Sequence, residues 1–294
     1  MLTIKQRADT VSAIPAERLP IDALVERVRE YVRSPDFDPP PLPSIAQEVW
    51  SACALGEATA MQVARIVQRG PLLAGRIMKV ANSALLSGRE PARTLRDAVV
   101  RIGFDELVNI VLMVSLRNVL FDVPGFLYLG ESSRKGAVAS AIASSLISAK
   151  ARVGTPARSF LAGLLHNIGE PVLMHALEKL VGHDYCLDMA EGDYLTLNRD
   201  IHAEIGLEVA AQWNMDSELK TVIARHNDWA GPTELPPLVR VVALADAIVA
   251  DLGLGLDQNL PAPEDHPFAK DPEFPPELIN QVREELPEKL DQFE

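Results

Sequence analysis

The chain predicts an all-α fold built as two packed helical subdomains. Two observations carry the fold class. Apolar residues recur at three- and four-residue spacing in segment after segment, and no alternating run flanked by hairpin turns is present. The 294 residues are 48% apolar and only 5% aromatic, the composition of an Ala/Leu/Val-rich helical protein with a sizeable core.

Residues 1–38 read as a helical leader, with Ile21, Leu24, Val25, Val28 and Val32 on one face. Pro39-Pro40-Pro41-Leu42-Pro43 then imposes an extended boundary, because each proline disfavours helix in the residue before it. From Ser44, read as an N-cap with Gln47 as its capping-box partner, helices follow closely. One is expected over about 60–68. A second starts at Pro71, which suits a first helical position, and ends near Asn82-Ser83. A third opens at Thr94 and stops at Gly103, and a strongly apolar one follows to Leu120. Asp122-Val123-Pro124-Gly125 is the main internal break. Long helices are expected at about 131–152, 157–167, 170–180, 200–213 (with Asp200 as a cap), 216–226 and 236–252. The organisation expected is therefore 39–123 as one helical subdomain and 124–255 as the next. Residues 256–294 form an acidic, Pro-rich tail whose last stretch, from Pro276 to Leu290, can make one amphipathic helix.

Charge and composition narrow the function classes. A net charge of −13 supplies no global field to draw in phosphates, which argues against non-specific nucleic-acid binding. No stretch approaches the ~20 apolar residues of a membrane span. Two cysteines without CxxC spacing fit a reducing compartment, and a cytoplasmic location is expected. Gly253-Leu254-Gly255-Leu256 lacks the Lys-Ser/Thr ending of a phosphate loop and reads as a linker.

Four residues stand out because they are polar within apolar helices: His166, His202, His226 and Asp246. A lone histidine on an apolar face is ordinarily a core residue. A buried carboxylate such as Asp246 requires a partner, whether a metal, a histidine or a cap. As a group, three imidazoles and a carboxylate form the mixed N/O set that divalent metals favour.

Phe160-Leu161-Ala162-Gly163-Leu164-Leu165-His166-Asn167-Ile168-Gly169 resembles the signature turn of HD-superfamily metal phosphohydrolases, with Asn167 where that motif has Asp. His202-Ala203-Glu204-Ile205-Gly206 and Ala245-Asp246-Ala247-Ile248 resemble two further segments of that superfamily. Leu42-Pro43-Ser44-Ile45-Ala46, Arg76 to Ala84, and Ala98 to Gly103 resemble the run that distinguishes the HDOD family, a degenerate relative of the HD and HD-GYP enzymes. The resemblance covers about residues 40 to 250 and implies an all-α fold, HD-like in its C-terminal subdomain, with a signalling or regulatory output, usually without demonstrated catalysis.

The departures from the catalytic pattern shape the functional expectation. Asn167 offers a neutral carbonyl oxygen in place of a carboxylate. Lys135 stands where catalytic relatives carry a metal-ligating histidine, and a protonated ammonium cannot ligate. The Gly-Tyr-Pro motif of the cyclic-dinucleotide phosphodiesterases is absent from the run His226 to Pro232. The expectation is a non-catalytic signalling module that binds a protein partner or a small-molecule ligand. His166, His202, His226 and Asp246 would form a vestigial metal site lined by Asn167 and Lys135. No cofactor is expected beyond a residual divalent metal. The alternative is a metal-dependent phosphohydrolase acting on a nucleotide or cyclic dinucleotide.

Overall fold

The computed structural model describes residues 19–54, 56, 58–83, 90–228, 235–256 and 260–291. The start of the leader, Ala84 at the end of the Arg76 to Ala84 run, the segment 229–232 after the third histidine and residues 257–259 of the tail lie outside them. Among the described residues there is no strand.

Helix α1 (Ile21–Val32) buries Leu24, Val25, Val28 and Val32, the stripe expected from its spacing. The next five helices are α2 (Ser44–Ala54), α3 (Ala60–Val67), α4 (Pro71–Ala81), α5 (Leu95–Ile102) and α6 (Phe104–Leu120). Local chemistry sets their ends. Thr59 and Gln62 form a reciprocal capping box at α3, and Thr94 and Asp97 form another at α5. Gly103 takes φ +82° and separates α5 from α6. Asn82 staples the chain beyond α4: its amide donates to the Ala92 carbonyl at 3.1 Å and accepts from the Ala92 N–H at 2.7 Å. Ser44 is itself the first residue of α2, and the Pro43 carbonyl takes the first helical hydrogen bond, from the Gln47 N–H. A capping box at Ser44 is therefore not what begins this helix.

After a 3-10 turn at Pro124–Phe126 comes α7 (Leu127–Ala151), the longest helix, followed by α8 (Pro156–Leu165), α9 (Gly169–Val181), the short α10 (His183–Leu187), α11 (Glu191–Gln212), α12 (Ser217–Arg225) and α13 (Pro237–Asp251). Helix α11 begins well before Asp200. Tyr194 and Leu197 continue its buried stripe toward the N-terminus, so Asp200 lies inside the helix and caps nothing. Helix α1 docks on α11 and α9, and Arg29 and Arg33 both pair with Glu204 of α11, at 3.1 and 2.8 Å.

Helix α7 is central: it packs on α6, α8, α9 and α13. It can do so because its buried face is small, with Gly136, Ala137, Ser140, Ala141 and Ser144. A Cβ on Gly163 of α8 would stand 2.5 Å from the Ser140 carbonyl oxygen, and one on Gly169 of α9 would stand 1.8 Å from the His202 carbonyl oxygen. Backbone therefore meets backbone at both places, and the histidine-bearing segments are drawn together.

The tail wraps the body. Leu254 to Leu256 cross α7 where Gly136 faces Gly255, and the chain continues through a 3-10 turn (Pro267–Lys270) into α14 (Pro276–Asp291). Phe268 and Phe274 are fully buried, and α14 seats Leu278, Ile279, Val282, Leu286 and Leu290 against the core. Lys150–Glu285 (2.7 Å), Arg283–Asp251 (2.9 Å) and Arg240–Glu273 (2.9 Å) frame this strap. No single helix among the described residues is long and apolar enough to cross a membrane. One bent pair, α6 with the segment through α7, passes by length and composition but is broken by 97°.

A paired substitution tests the close approach. A Cβ at Gly136 would lie 2.7 Å from the Gly255 Cα, so Gly136→Ala should destabilise by about 1–3 kcal/mol in urea unfolding. Gly75→Ala, in α4 with nothing within 4 Å, should stabilise by about 0.5–1 kcal/mol. Equal effects at the two sites would refute the packing argument.

Candidate functional site

Four elements bring His166, His202, His226 and Asp246 together. His166 sits just past α8, in the turn to α9. His202 lies within α11, His226 ends α12, and Asp246 comes from the middle of α13. The rings of His166 and His226 meet edge to face with centroids 4.9 Å apart, and those of His202 and His226 lie 5.4 Å apart.

The backbone sets the tautomers. His166 Nδ1 lies 2.8 Å from the Gly163 carbonyl oxygen, His202 Nδ1 lies 2.6 Å from that of Asn198, and His226 Nδ1 lies 3.0 Å from that of Ile223. A carbonyl oxygen only accepts, so each Nδ1 carries the proton and each Nε2 turns inward. The same second-shell bond orients metal-ligating histidines.

In this chain, however, another group meets those lone pairs. The Asn227 amide nitrogen lies 3.2 Å from His202 Nε2 and 3.1 Å from His226 Nε2, and its two N–H groups can donate to both. The two Nε2 atoms are 3.3 Å apart, hydrogen-bond distance, so the pair requires a ring proton between them, a shared donor or a cation. Asn227 supplies the donor. The sequence reading passed over it, although its position directly after His226 was the available signal.

His166 and Asp246 form the second half of the cluster. His166 Nε2 is 3.2 Å from Asp246 Oδ1, within ion-pair range but poorly aligned for a hydrogen bond. Ser140 on α7 donates to the same Oδ1 at 3.1 Å. Although burial opposes charge on both groups, the pairing prevails: His166 is held above the ordinary imidazole range and Asp246 below the ordinary carboxylate range. His226 moves the other way, pushed down to about 3 by burial and by the neighbouring His166 and His202. The arrangement is an imidazolium–carboxylate pair beside a neutral histidine.

The fit to a metal is partial. Two donor pairs have the spacing of neighbouring ligands, but no group of three His, Cys, Asp or Glu among the described residues converges on one point. Asn167 brings a neutral amide whose Oδ1 is buried with no hydrogen-bond partner. Beside it is a cavity of about 20 Å³, room for roughly one water or one bare ion. Gly136, Ala137, Asn167, Glu170 and Asp246 line it, and Leu254 to Leu256 close it. The structure does not bring Lys135 to this cavity. Lys135 faces a neighbouring cleft with Tyr128, Ser132 and Glu191, and Gly136 takes the inward position on α7. One residue is a rotation of about 100° on a helix, which separates the two faces.

Glu170 is a further polar member of this site. It is buried, and its carboxylate accepts from Ser133 at 2.8 Å and Asn198 at 3.2 Å, while Tyr194 donates to its backbone carbonyl at 2.8 Å. Burial raises its pKa to about 7, with Asp246 adding to the rise.

With this geometry established, the comparisons with known proteins place the chain. Its fold is the helical HD type. The chain belongs to the HDOD domain family, whose profile matches residues 40–229. A Shewanella amazonensis protein provisionally named a metal-dependent phosphohydrolase is similar in structure: TM-score 0.67, 22% identity, covering 90% of this chain and 99% of that one. An HDOD domain protein of unknown function from Geobacter sulfurreducens matches with TM-score 0.66 and 21% identity over 93% of this chain and 95% of its own. An uncharacterized protein of Treponema pallidum is 28% identical over 220 residues. That match covers 72% of this chain but only 42% of the Treponema protein.

Glu170 yields a pH prediction. Its folded pKa of about 7 lies above the ordinary 4.5, so between those values the native state holds more protons than the unfolded chain. Its contribution to stability is then complete below pH 4.5 and lost as pH rises through about 7. Glu170→Gln should therefore gain stability relative to wild type on going from pH 5 to pH 8, by a few kcal/mol (on the order of 1.4 per pKa unit). A difference that does not change with pH would refute the assignment.

Proposed function

We propose that this chain is a non-catalytic signal-transduction module, acting through a protein partner or a small ligand bound on a degenerate HD fold. The observation that carries the reading is the Asn227 amide between the lone pairs of His202 and His226, with Asn167 where a ligating carboxylate would stand. Together they turn a ligand sphere into a hydrogen-bonded polar core. A cavity with room for about one water is also too small to seat a scissile phosphodiester. Membership of the HDOD family supports the signalling role, and the two free thiols, Cys53 and Cys186, support a cytoplasmic setting.

A metal-dependent phosphohydrolase is the second reading. The inward Nε2 atoms and Asp246 favour it. In that case His166, His202, His226 and Asp246 would hold the cation, which would lower the pKa of a bound water. Asn167 would then orient a neighbour without adding negative charge.

Metal content and turnover separate the two. Untagged protein purified without chelator should carry well under one transition-metal ion per chain and should not cleave bis(p-nitrophenyl) phosphate, with or without added manganese. A stoichiometric metal that disappears in Asp246→Ala, together with turnover, would establish the second reading instead.

A further inference from the structure

The chain leaving α13 crosses α7 with open space on both of its faces. Beneath the crossing is the small cavity beside Asp246, closed by Leu254, Gly255 and Leu256. Above it is a cleft of about 390 Å³, lined by the same three residues together with Tyr128, Ser132 and Glu191. One short stretch of chain is therefore the wall between a polar interior and an outer space of small-molecule size. The wall is held lightly. Gly253 N–H donates to the Ala250 carbonyl at 2.9 Å and Leu254 N–H to that of Val249 at 3.0 Å, bonds that run back to the end of α13 and cap it. That cap accounts for φ +68° at Gly253, whereas Gly255, at φ +81°, lies beyond it. A Cβ on Gly255 would stand 3.2 Å from the Gly136 Cα, so the crossing meets α7 backbone to backbone, without an interlocking side chain. Leu254 and Gly255 are half-buried, and Leu256, 7% exposed, anchors the far end. A segment flanked by space on both faces is where local opening costs least, and a glycine at its centre absorbs the change in backbone angle. On the inner side Asn167 Oδ1 is buried without a hydrogen-bond partner.

We propose that the crossing from Leu254 to Leu256 is a gate, hinged at Gly255, whose opening joins the outer cleft to the polar cavity and gives a small molecule access to Asn167 and Asp246. Closed, the gate leaves room for about one water. Open, it makes Asn167, Glu170 and Asp246 the floor of a pocket that already has small-molecule size. The unpartnered Asn167 oxygen then has an occupant to accept from, which an apolar wall of Leu254 and Leu256 does not provide. The gate concerns how the polar core is reached, whichever of the two functional readings holds.

The test is thiol labelling of the full chain, with Cys53→Ser and Cys186→Ser removing the native thiols. Val249→Cys reports on the gate, because Val249 lines the cavity and is 2% exposed. Val242→Cys, on the same helix, fully buried and outside that lining, reports on global unfolding. With methyl methanethiosulfonate the Val249→Cys thiol should react at least about tenfold faster than the Val242→Cys thiol, at a rate that stays flat in urea below the unfolding transition. Adding Gly255→Ala, strained at positive φ and crowded against Gly136, should raise the Val249→Cys rate by about tenfold. A Val249→Cys rate that climbs with urea in step with Val242→Cys would mean that only unfolding exposes the cavity, and would overturn the gate. Fast labelling that Gly255→Ala leaves unchanged would place the entrance elsewhere and would overturn it as well. Ala250→Cys, at a second lining position, repeats the measurement if circular dichroism shows that Val249→Cys does not fold. Neither metal nor turnover enters the readout, so failure of the gate is distinct from failure of the functional reading.

Discussion

A single buried carboxylate constrains the centre of this molecule. Asp246 rides in α13, a helix with eleven buried apolar residues, and its side chain is only 15% exposed. An uncompensated charge there would cost several kcal/mol, so neighbouring elements must supply positive charge and hydrogen bonds. His166 at the end of α8 provides the charge, and Ser140 of α7 provides the hydrogen bond. Three helices are thereby locked in register around one oxygen atom.

The small-residue face of α7 makes that arrangement reachable. Glycine, alanine and serine at its buried positions let α8 approach to backbone distance and let the strap cross at Gly136 and Gly255. The same choice sets what the helix presents to the cavity beside Asp246. Gly136 takes the inward position and brings no donor atom, and the strap that covers it leaves room for about one water. Packing and cavity size thus draw on the same residues: the closeness that holds the helices together also limits the space beside Asp246.

Much of the fold was legible in the sequence because the signals are local. Thr59 and Thr94 announce helix starts through side chains three residues away, Pro71 fits a first turn, and Gly103 marks a boundary through its own backbone angle. The meeting of His166, His202, His226 and Asp246 was legible only through resemblance, since their spacing along the chain says nothing about their spacing in space. Three features escaped because they depend on distant contacts. The early start of α11 rests on the burial of Tyr194, and the order of the tail on a groove for Phe268 and Phe274. The choice of Gly136 over Lys135 rests on a helical phase that motif matching cannot resolve. A stripe of small residues at 133, 136, 137, 140 and 144 was the available signal for that last feature.

The group that meets the paired imidazoles, Asn227 or a cation, separates the two functional readings. Nitrogen-15 NMR of the histidine side chains, with and without one equivalent of zinc, tests it most directly. With Asn227 as the donor, His202 and His226 should carry their protons on Nδ1, and their Nε2 signals should not move when zinc is added. In Asn227→Ala the two Nε2 signals should shift with the loss of their donor. A zinc-induced shift of both Nε2 signals in the wild-type protein, unaffected by Asn227→Ala, would contradict that donor role and identify a working metal site.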